Sequence, residues 1–540
     1  MKHLLFTVFT FFLFIQALSA QFVFVAPVPG SKYHHPDRTI ILRAASKLKP
    51  DSYGGDNWYV VTGSLSGKHL MNVSIADDQK TLLLKPIKSF SQGESVNVTI
   101  NNSLITMEGT HLEGYQFSFV IQPHYSIKES MQLEAAAKKV MSDDFGTTRN
   151  NPAIVRDSET FPKFTIDVNK EPSPGDIFYY TFNFQGSPNK FISIMTSDGD
   201  SVFAQQTIAK GSTFDINKNG YLTVFNYDSA YFEVWDSSYN VINTYTAANG
   251  YATDPHDFIL LPNGHSFIIA DDPQIVDMTV YSPNYHSDAS VIGAILQELD
   301  SNKNLVFEWR SWDHIDIMDA KHIYFSTQII DYVHPNSIEV DDDGNILMSC
   351  RMLDQILKIN SSTGDLIWRM GGGKNEFAFT NDPVQFNFQH DCRRLKNGHL
   401  TVFDNGCYHS PPVATFKEYE VDEINKTAKL VFSYQHPLIN GKNLQSWAMG
   451  NAQRLSNGNT FINWGYIIPG TGSPNMTEID SIGNIVWEMH FNDTIDFVTY
   501  RAHRYEWTPC ILIAPDSLTV SQVSETAADI HWKEVKNAGS

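Results

Sequence analysis

Three histidines begin the same strand in three successive repeats of the sequence. The segments are His256-Asp257-Phe258, His334-Pro335-Asn336 and His390-Asp391-Cys392, and the next repeat has Gly450-Asn451-Ala452 at that place. A neutral imidazole is a nucleophile and a proton carrier near pH 7. Arg351 follows the apolar strand 346–350 and adds a permanent charge with a fork of N–H donors. Brought together, these side chains would bind and accept an anionic group.

The elements that must position these histidines are hairpins that recur along residues 150–512. Their tight turns are Asn219-Gly220, Asn263-Gly264, Asp343-Gly344, Asn397-Gly398 and Asn457-Gly458. Asn-Gly and Asp-Gly favour the type I′ turn of a two-residue hairpin. A second repeated strand ends in tryptophan, at Trp309, Trp368 and Trp487. Two hairpins make a four-stranded sheet, and a repeat of roughly 45 to 60 residues is typical of β-propeller blades.

The repeats therefore predict an all-β chain whose main domain, residues 150–512, is a six-bladed β-propeller. A seven-bladed propeller is the alternative. The sixth blade would combine strands around 177–203 with a late strand near 501–507, which removes the open edge of the ring. The innermost strand of each blade faces the central channel. Residues at the same repeat position, the three histidines included, are expected to converge on the propeller axis.

Smaller units are predicted on both sides of the repeats. Residues 22–123 alternate short strands with polar turns, which favours an immunoglobulin-like β-sandwich. Residues 124–149 include an alanine-rich run and are expected to form a helical linker. Residues 513–540 resemble the first strands of a fibronectin type III module. The His34-His35 pair falls in a predicted loop of the sandwich and is interpreted as a solvated surface feature.

From Asp254 to Tyr505 the chain resembles the arylsulfotransferase family, whose members transfer sulfate without the nucleotide sulfate donor. The matching segments are His256-Asp257, His334-Pro335-Asn336-Ser337, Arg351, Gln389-His390-Asp391 and Gly450-Asn451-Ala452-Gln453-Arg454-Leu455. Each motif is short, and their order and spacing together carry the resemblance. The fold that the resemblance implies is a six-bladed propeller preceded by a small N-terminal β domain, which is the order of units expected here.

The resemblance implies transfer of a sulfuryl group from an aryl sulfate ester to a phenolic acceptor through a covalent sulfo-histidine, with ping-pong kinetics. It assigns the nucleophile to His390 and implies no cofactor. Three further catalytic residues would hold the sulfuryl oxygens or exchange the proton of the phenol: Arg351, His334 and His256. Asn336 and Asn451 would bind substrate. Trp447 and Trp464 could stack on the phenol, although core packing suits both.

Residues next to these positions are expected to point elsewhere. Asp257 and Asp391 follow a histidine directly, so they should lie on the opposite strand face, away from the adjacent ring. In the closing strand either Arg501 or His503 could reach the channel, and strand alternation leaves both open.

Two other functions fit the same repeats. A repeated histidine can serve hydrogen bonds within blades, and the propeller would then be a non-catalytic module that binds a carbohydrate or a peptide. Three histidines with Asn336 as a weak fourth ligand could instead hold a metal in a lyase or hydrolase. Arg351 in the same ring would repel that cation, and none of the four cysteines has the CxxC spacing of a zinc site, so no metal is assigned. For Cys392 and Cys407, a disulfide and two free thiols both remain open.

The net charge of −21 opposes binding to nucleic acids and anionic membranes, so an anionic substrate needs a local positive site. Lys2-His3, an apolar run to Leu18 and Ser19-Ala20 predict a signal peptide over residues 1–20, and no segment predicts a membrane span. The expected protein is exported to the periplasm, the cell surface or the medium. Its expected partners are a small aryl sulfate and a phenol, and its oligomeric state, a homodimer included, stays open.

Overall fold

The computed structural model describes residues 22–145, 161–182, 190–207, 210–467, 472–492 and 497–507, together with the backbone of 518–521 and 529–532. The predicted signal peptide and Cys510 lie outside these residues. The described residues contain two α-helices, Pro50–Tyr53 and Ile127–Phe145, and are otherwise mostly β-strands and loops. Four single turns of 3₁₀-helix are also present: Met278–Val280, Ser311–Asp313, Ile317–Asp319 and Arg351–Leu353.

The N-terminal unit consists of two four-stranded sheets with one shared core. The first sheet contains Phe22–Ala26, Ile40–Ala44, Thr81–Pro86 and Met71–Ile75. The second contains Gly67–His69, Tyr59–Gly63, Ser95–Ile100 and Tyr115–Val120. Buried side chains from both sheets, among them Leu42, Trp58 and Val98, pack together between them. Alternation of buried and exposed residues along Ser95–Ile100 is what places one face of this strand in the core.

Six further sheets make up the main unit of the described residues, and we number them in ring order. Sheet I contains Val498–Tyr505, Asp176–Phe182, Lys190–Met195 and Ser201–Thr207. Sheet II contains Lys210–Ile216, Leu222–Asn226, Tyr231–Trp235 and Val241–Tyr245. Sheet III contains Ala252–Leu260, Ser266–Val276, Ala289–Leu299 and Leu305–Arg310, with Ile329–Asp331 pairing in parallel to its third strand.

Sheets IV to VI follow the same antiparallel order from the first strand outward. Sheet IV contains Pro335–Val340, Ile346–Cys350, Gln355–Ile359 and Leu366–Met370. Sheet V contains His390–Arg394, Leu400–Asp404, Thr415–Asp422, Thr427–Tyr434 and the parallel edge strand Ala378–Thr380. Sheet VI contains Asn451–Arg454, Thr460–Asn463, Met476–Ile479, Ile485–Phe491 and Phe164–Asn169. In the C-terminal region, Leu518–Ser521 pairs with Asp529–Trp532.

The first strands of these six sheets contact one another in a closed cycle, from sheet I through sheet VI and back to sheet I. The late strand Val498–Tyr505 pairs with the early strand Asp176–Phe182, which confirms the predicted sharing of one sheet between distant segments. Phe164–Asn169 likewise adds to the outer strand Ile485–Phe491 of sheet VI. Strands from both ends of the unit thus pair where the chain would otherwise leave an open edge.

The N-terminal unit is joined to sheet III by buried polar contacts. Arg38 forms an ion pair with Glu308, and both side chains are buried. Nη2 of Arg310 lies 2.8 Å from Asp272 and donates to the carbonyl of Tyr33 at 3.0 Å. The prediction that the His34-His35 pair is a solvated surface feature is wrong for His34, which is fully buried against Arg310. Burial, with Arg310 and Arg38 nearby, lowers the pKa of His34 well below its usual value.

His265, just after a predicted turn, also links the two units, and a pH-dependent stability follows. Its Nδ1 lies 2.7 Å from Glu298 of sheet III and its Nε2 lies 3.0 Å from Asp77 of the N-terminal unit. The hydrogen bond with Glu298, followed by that with Asp77, outweighs burial and raises the pKa of His265 to about 9. The stabilisation is complete below the unfolded pKa, near 6.5, and is lost as the pH rises through about 9.

Replacing His265 with glutamine is therefore expected to destabilise the protein at pH 6, by on the order of 2 kcal/mol, and to have little effect at pH 10. Thermal unfolding of both proteins across this range measures the difference. His111→Gln is the control, because His111 is exposed and bonds only to the carbonyl of Asn102 among the contacts described. A difference between wild type and His265→Gln that stays constant with pH would contradict the proposed ion pairs.

Candidate active site at the centre of the ring

His256 and His334 lie side by side near the axis, and we call them the paired histidines. Their ring centres are 4.8 Å apart with the planes at 76°, and both side chains are buried. Nδ1 of His256 is 2.8 and 2.9 Å from the two oxygens of Asp254. Nδ1 of His334 is 2.5 Å from Oδ2 of Asp331. Each paired histidine thus has a carboxylate on the same ring nitrogen.

His390 is held by a different set of groups. Its Nδ1 lies 2.7 Å from Oδ1 of Asn405, and the backbone N–H of Met449 donates to its Nε2 at 3.1 Å. The centre of the Tyr500 ring lies 6.3 Å from that of His390 and 5.6 Å from that of His256. Tyr500, which was not a predicted site residue, therefore connects His390 with the paired histidines.

Arg351 completes the group on the side of His334. It is the first residue of a 3₁₀ turn that directly follows strand Ile346–Cys350, and its N–H bonds to the carbonyl of His334 at 3.0 Å. Its guanidinium carbon lies 4.7 Å from the centre of the Phe388 ring, and Nη2 is 3.5 Å from Nδ1 of His334. Arg351 is 6% exposed, so its charge lies in a region of reduced screening.

The two predicted asparagines have backbone partners. The amide of Asn336, expected to donate to a bound group, instead donates to the carbonyl of Gln389 at 2.8 Å. Its Oδ1 is buried without a hydrogen-bond partner among the described residues. Asn451 bonds to both the N–H and the carbonyl of Ala502, at 3.0 and 2.8 Å, which ties sheet VI to sheet I.

Irregular backbone places the histidines. The pairing of the first strands shifts at Thr253/Phe258, at Pro335/Ser337 and at His390/Arg393, so each histidine lies in or beside a β-bulge. Bulges redirect side chains and are frequent next to active sites. Several residues here have left-handed backbone that costs on the order of 1–3 kcal/mol each, with φ of 51° at His334, 55° at Phe388, 51° at Asp391 and 63° at Met449.

Tyr500 and Arg501 form a buried layer next to the histidines. Both donate to the carbonyl of Asn336, from Oη at 2.9 Å and Nη2 at 2.5 Å. Nη1 of Arg501 lies 2.9 Å from Asp257, and its Nε is 3.6 Å from Asp391. Burial alone would raise the pKa of Asp257, but the Arg501 and Arg393 guanidiniums hold it below its usual value. Asp257, Asp391 and His503 also line a pocket of about 280 Å³.

A third carboxyl group lies near the paired histidines. Asp271, on the second strand of sheet III, has its pKa raised well above the usual value by burial and then by the charges of Asp254 and Asp331. A carboxyl group whose pKa is raised in this way stays protonated and neutral. The carboxylates that bond to the two imidazoles are those of Asp254 and Asp331.

Aromatic residues line the side of the site beyond Arg351. The ring of Tyr408 is stacked on His322, 3.4 Å between centres, and lies 5.6 Å from the Phe388 ring under Arg351. Tyr408 is 53% exposed and Trp447 is 44% exposed, so both can meet a ligand, whereas Trp464 is fully buried in the core. Cys407, Cys350 and Cys392 are free thiols.

Comparison with known proteins identifies the family. Residues 175–501, more than half of the chain, match the sequence model of the Arylsulfotransferase (ASST) family. The chain belongs to the arylsulfotransferase family. This confirms the resemblance drawn from the histidine, arginine and asparagine motifs, and it supports arylsulfotransferase activity in general. No curated protein matches this arylsulfotransferase.

Several solved structures are similar to this arylsulfotransferase at low identity. A protein of unknown function from Bacteroides caccae is 16% identical, with 61% of this chain and 98% of that chain covered and a TM-score of 0.38. A catalytically inactive virginiamycin B lyase from Staphylococcus aureus with quinupristin is 12% identical, with 62% and 90% covered and a TM-score of 0.32. CopC from Methylosinus trichosporium OB3b is 14% identical over 19% of this chain and 97% of that chain, with a TM-score of 0.15.

Two negative findings concern the described residues only. No group of three or more His, Cys, Asp or Glu side chains in them is arranged to hold a metal ion. None of their helices is long and apolar enough to cross a membrane.

Proposed function

We propose that this arylsulfotransferase moves a sulfuryl group from an aryl sulfate ester to a phenol through a sulfo-histidine on His390. The observation that carries the proposal is the grouping of His390, the paired histidines and Arg351 near one buried axis. A nucleophile, two proton donors and a fixed cation are the groups that in-line transfer of an anionic group requires. The family match supports the class of reaction.

In the first half-reaction, the Nε2 lone pair of His390 forms the N–S bond while the bond from sulfur to the aryl oxygen breaks. The electron pair of that bond leaves with the phenolate, which takes a proton from one of the paired histidines. Arg351 and the paired histidine that keeps its proton donate to the sulfuryl oxygens throughout. The N–H of Met449 must give up its hydrogen bond to Nε2 for this attack to occur.

The second half-reaction reverses these steps with a different phenol. The paired histidine that lost its proton accepts the proton of the acceptor, whose oxygen then attacks sulfur. The N–S bond breaks, and its electron pair returns to Nε2 of His390. Both substrates therefore use the same site at different times, which is the basis of ping-pong kinetics.

The same proposal covers the surroundings of the site. The six sheets are proposed to be the blades of a six-bladed propeller, preceded by an immunoglobulin-like sandwich and followed by a fibronectin type III-like segment. Asn336 and Asn451 are proposed to support the substrate site through the backbone positions that they hold. We also propose that the protein is exported through a signal peptide over residues 1–20. Its partners are proposed to be small phenolic compounds and not nucleic acids.

The test is transfer of sulfate from a chromogenic aryl sulfate to a second phenol by the purified protein. Initial rates measured against both substrates are expected to give parallel double-reciprocal lines, which indicate a ping-pong mechanism. Quenching with donor alone is expected to leave one sulfuryl group per chain, on the peptide that contains His390. Intersecting lines, with no adduct detectable after rapid quenching, would instead indicate direct transfer from donor to acceptor.

Tyr408 is expected to bind the aromatic ring of a substrate, because it is exposed and contacts the Phe388 ring that packs against Arg351. Replacing it with alanine removes an aromatic contact that contributes about 0.5–1.5 kcal/mol. We expect KM for the phenol to rise by roughly 2- to 10-fold, with kcat changed less. Tyr408→Phe retains the ring and should bind normally, and Tyr221→Ala, at a distant turn, is the control. An unchanged KM in Tyr408→Ala would place the phenol elsewhere.

A further inference from the structure

The three histidines differ in the group bonded to Nδ1. The paired histidines have a carboxylate there, from Asp254 and Asp331, whereas His390 has the side-chain amide of Asn405. A carboxylate and an amide act differently on an imidazole, because the full negative charge of the carboxylate stabilises the protonated ring far more than a neutral amide oxygen does. The difference lies at one ring position in three otherwise similar histidines.

The amide of Asn405 has a defined orientation. Its Nδ2 donates to Oγ of Ser446 at 3.0 Å and to the carbonyl of Met449 at 2.9 Å. A carbonyl oxygen only accepts, so the NH₂ group must face Met449 and Oδ1 must face His390. The hydrogen in the 2.7 Å contact therefore belongs to Nδ1 of His390. With the Met449 N–H donating to the other nitrogen, Nε2 carries the lone pair.

The paired histidines have carboxylates and not an amide as their Nδ1 partners. An ionised carboxylate only accepts, so the contacts with Asp254 and Asp331 require a hydrogen on Nδ1 of each ring. Asp271 lies near both carboxylates but is kept neutral by burial and by their charges, while Arg351 lies beside His334 and opposes a positive charge on that ring. For His390, the described contacts include the Asn405 amide, the Met449 peptide and the Tyr500 ring.

We propose that the Nδ1 partner sets the role of each histidine: the Asn405 amide keeps His390 neutral as the nucleophile, and the carboxylates keep the paired histidines protonated as donors. This inference rests on the proposed function and names Asn405, Asp254 and Asp331 as positioning residues. A neutral amide also leaves the positive charge on the ring after sulfonation. The sulfo-imidazolium then remains a good leaving group for the second half-reaction.

The kinetic test exchanges the two kinds of partner. Asn405→Asp places a carboxylate on His390 and is expected to move the acid limb of kcat/KM upward by about 1–3 pH units, since an adjacent opposite charge raises a histidine pKa. Asp331→Asn removes the carboxylate from His334 and is expected to move the basic limb downward. Asp167→Asn is the matched control, because Asp167 bonds to His490 on the exposed outer face of sheet VI. Its profile should equal that of wild type.

A second measurement needs no activity. Protein labelled with [15N]histidine is examined by NMR, and the signals of His390 are those missing from His390→Ala. We expect one protonated and one bare nitrogen for His390 at pH 7, and two protonated nitrogens for the paired histidines. A doubly protonated His390, or an Asn405→Asp profile identical to that of wild type, would overturn the inference. If wild type transfers no sulfate, the proposed function fails, and the NMR spectra alone then decide the protonation states.

Discussion

Replacement of His390 by alanine is expected to reduce sulfate transfer by about 10³-fold or more, because it removes the atom that bonds to sulfur. Binding of the aryl sulfate should persist, since Arg351 and the paired histidines remain. The result to look for is a loss in kcat with KM little changed. Release of the chromogenic phenol should lose its initial burst, because no sulfo-enzyme can form.

The matched control for this variant lies in the same sheet. His399 is at the far end of the hairpin that His390 begins, and it bonds to Glu418 at 2.7 Å. His399→Ala therefore removes an imidazole from the same pair of strands but not from the site, and it should transfer sulfate at the wild-type rate. Equal losses in both variants would show damage to sheet V and not the removal of a nucleophile.

The second large effect is expected at Arg351. Arg351→Met removes the fixed cation from a buried site and should lower kcat/KM by roughly 10²- to 10³-fold, the usual effect of losing a donor that stabilises developing charge. Arg351→Lys retains the charge but not the planar fork that can donate two parallel hydrogen bonds. It should recover part of the activity. Full activity in Arg351→Met would remove the guanidinium from the reaction.

Arg369→Lys serves as the control for the arginine series. Arg369 lies on the outer strand of the same sheet and binds Asp319 at 2.8 Å and Gln355. If replacing Arg369 also lowers the rate, then the loss in the Arg351 variants comes from damage to sheet IV and not from the missing guanidinium. A thermal midpoint for each variant separates loss of activity from loss of the folded state.

The histidines could be found from the sequence because their spacing is repeated. Each lies seven or nine residues before a turn. First strands that meet around one axis bring such repeated positions together. The pairing of distant segments around Ile177 and Arg501 was predictable for a related reason, because a ring of sheets needs its edges joined. Local pattern and closure thus predicted where His256, His334 and His390 would meet.

The partners of these histidines were missed, because they depend on irregular backbone. Strand alternation placed Asn336 on the face of His334, but a bulge at Pro335/Ser337 and a left-handed His334 break the alternation. Aspartates two and three residues before the paired histidines were a readable signal. Asn405 was not, since it reaches His390 from the next strand. The burial of His34 was missed because it depends on contact between two separate units.

The layer of Tyr500 and Arg501 has a kinetic consequence. Both side chains are buried and are held by Asn336 and Asp257, so we expect them to close one side of the site. A molecule that reaches His390 would then have to leave by the way it came. The phenol released from the donor and the acceptor phenol must then use the same opening of the site, one after the other. Accumulated phenol from the donor is then expected to compete with the acceptor for the sulfated enzyme and to regenerate the starting ester.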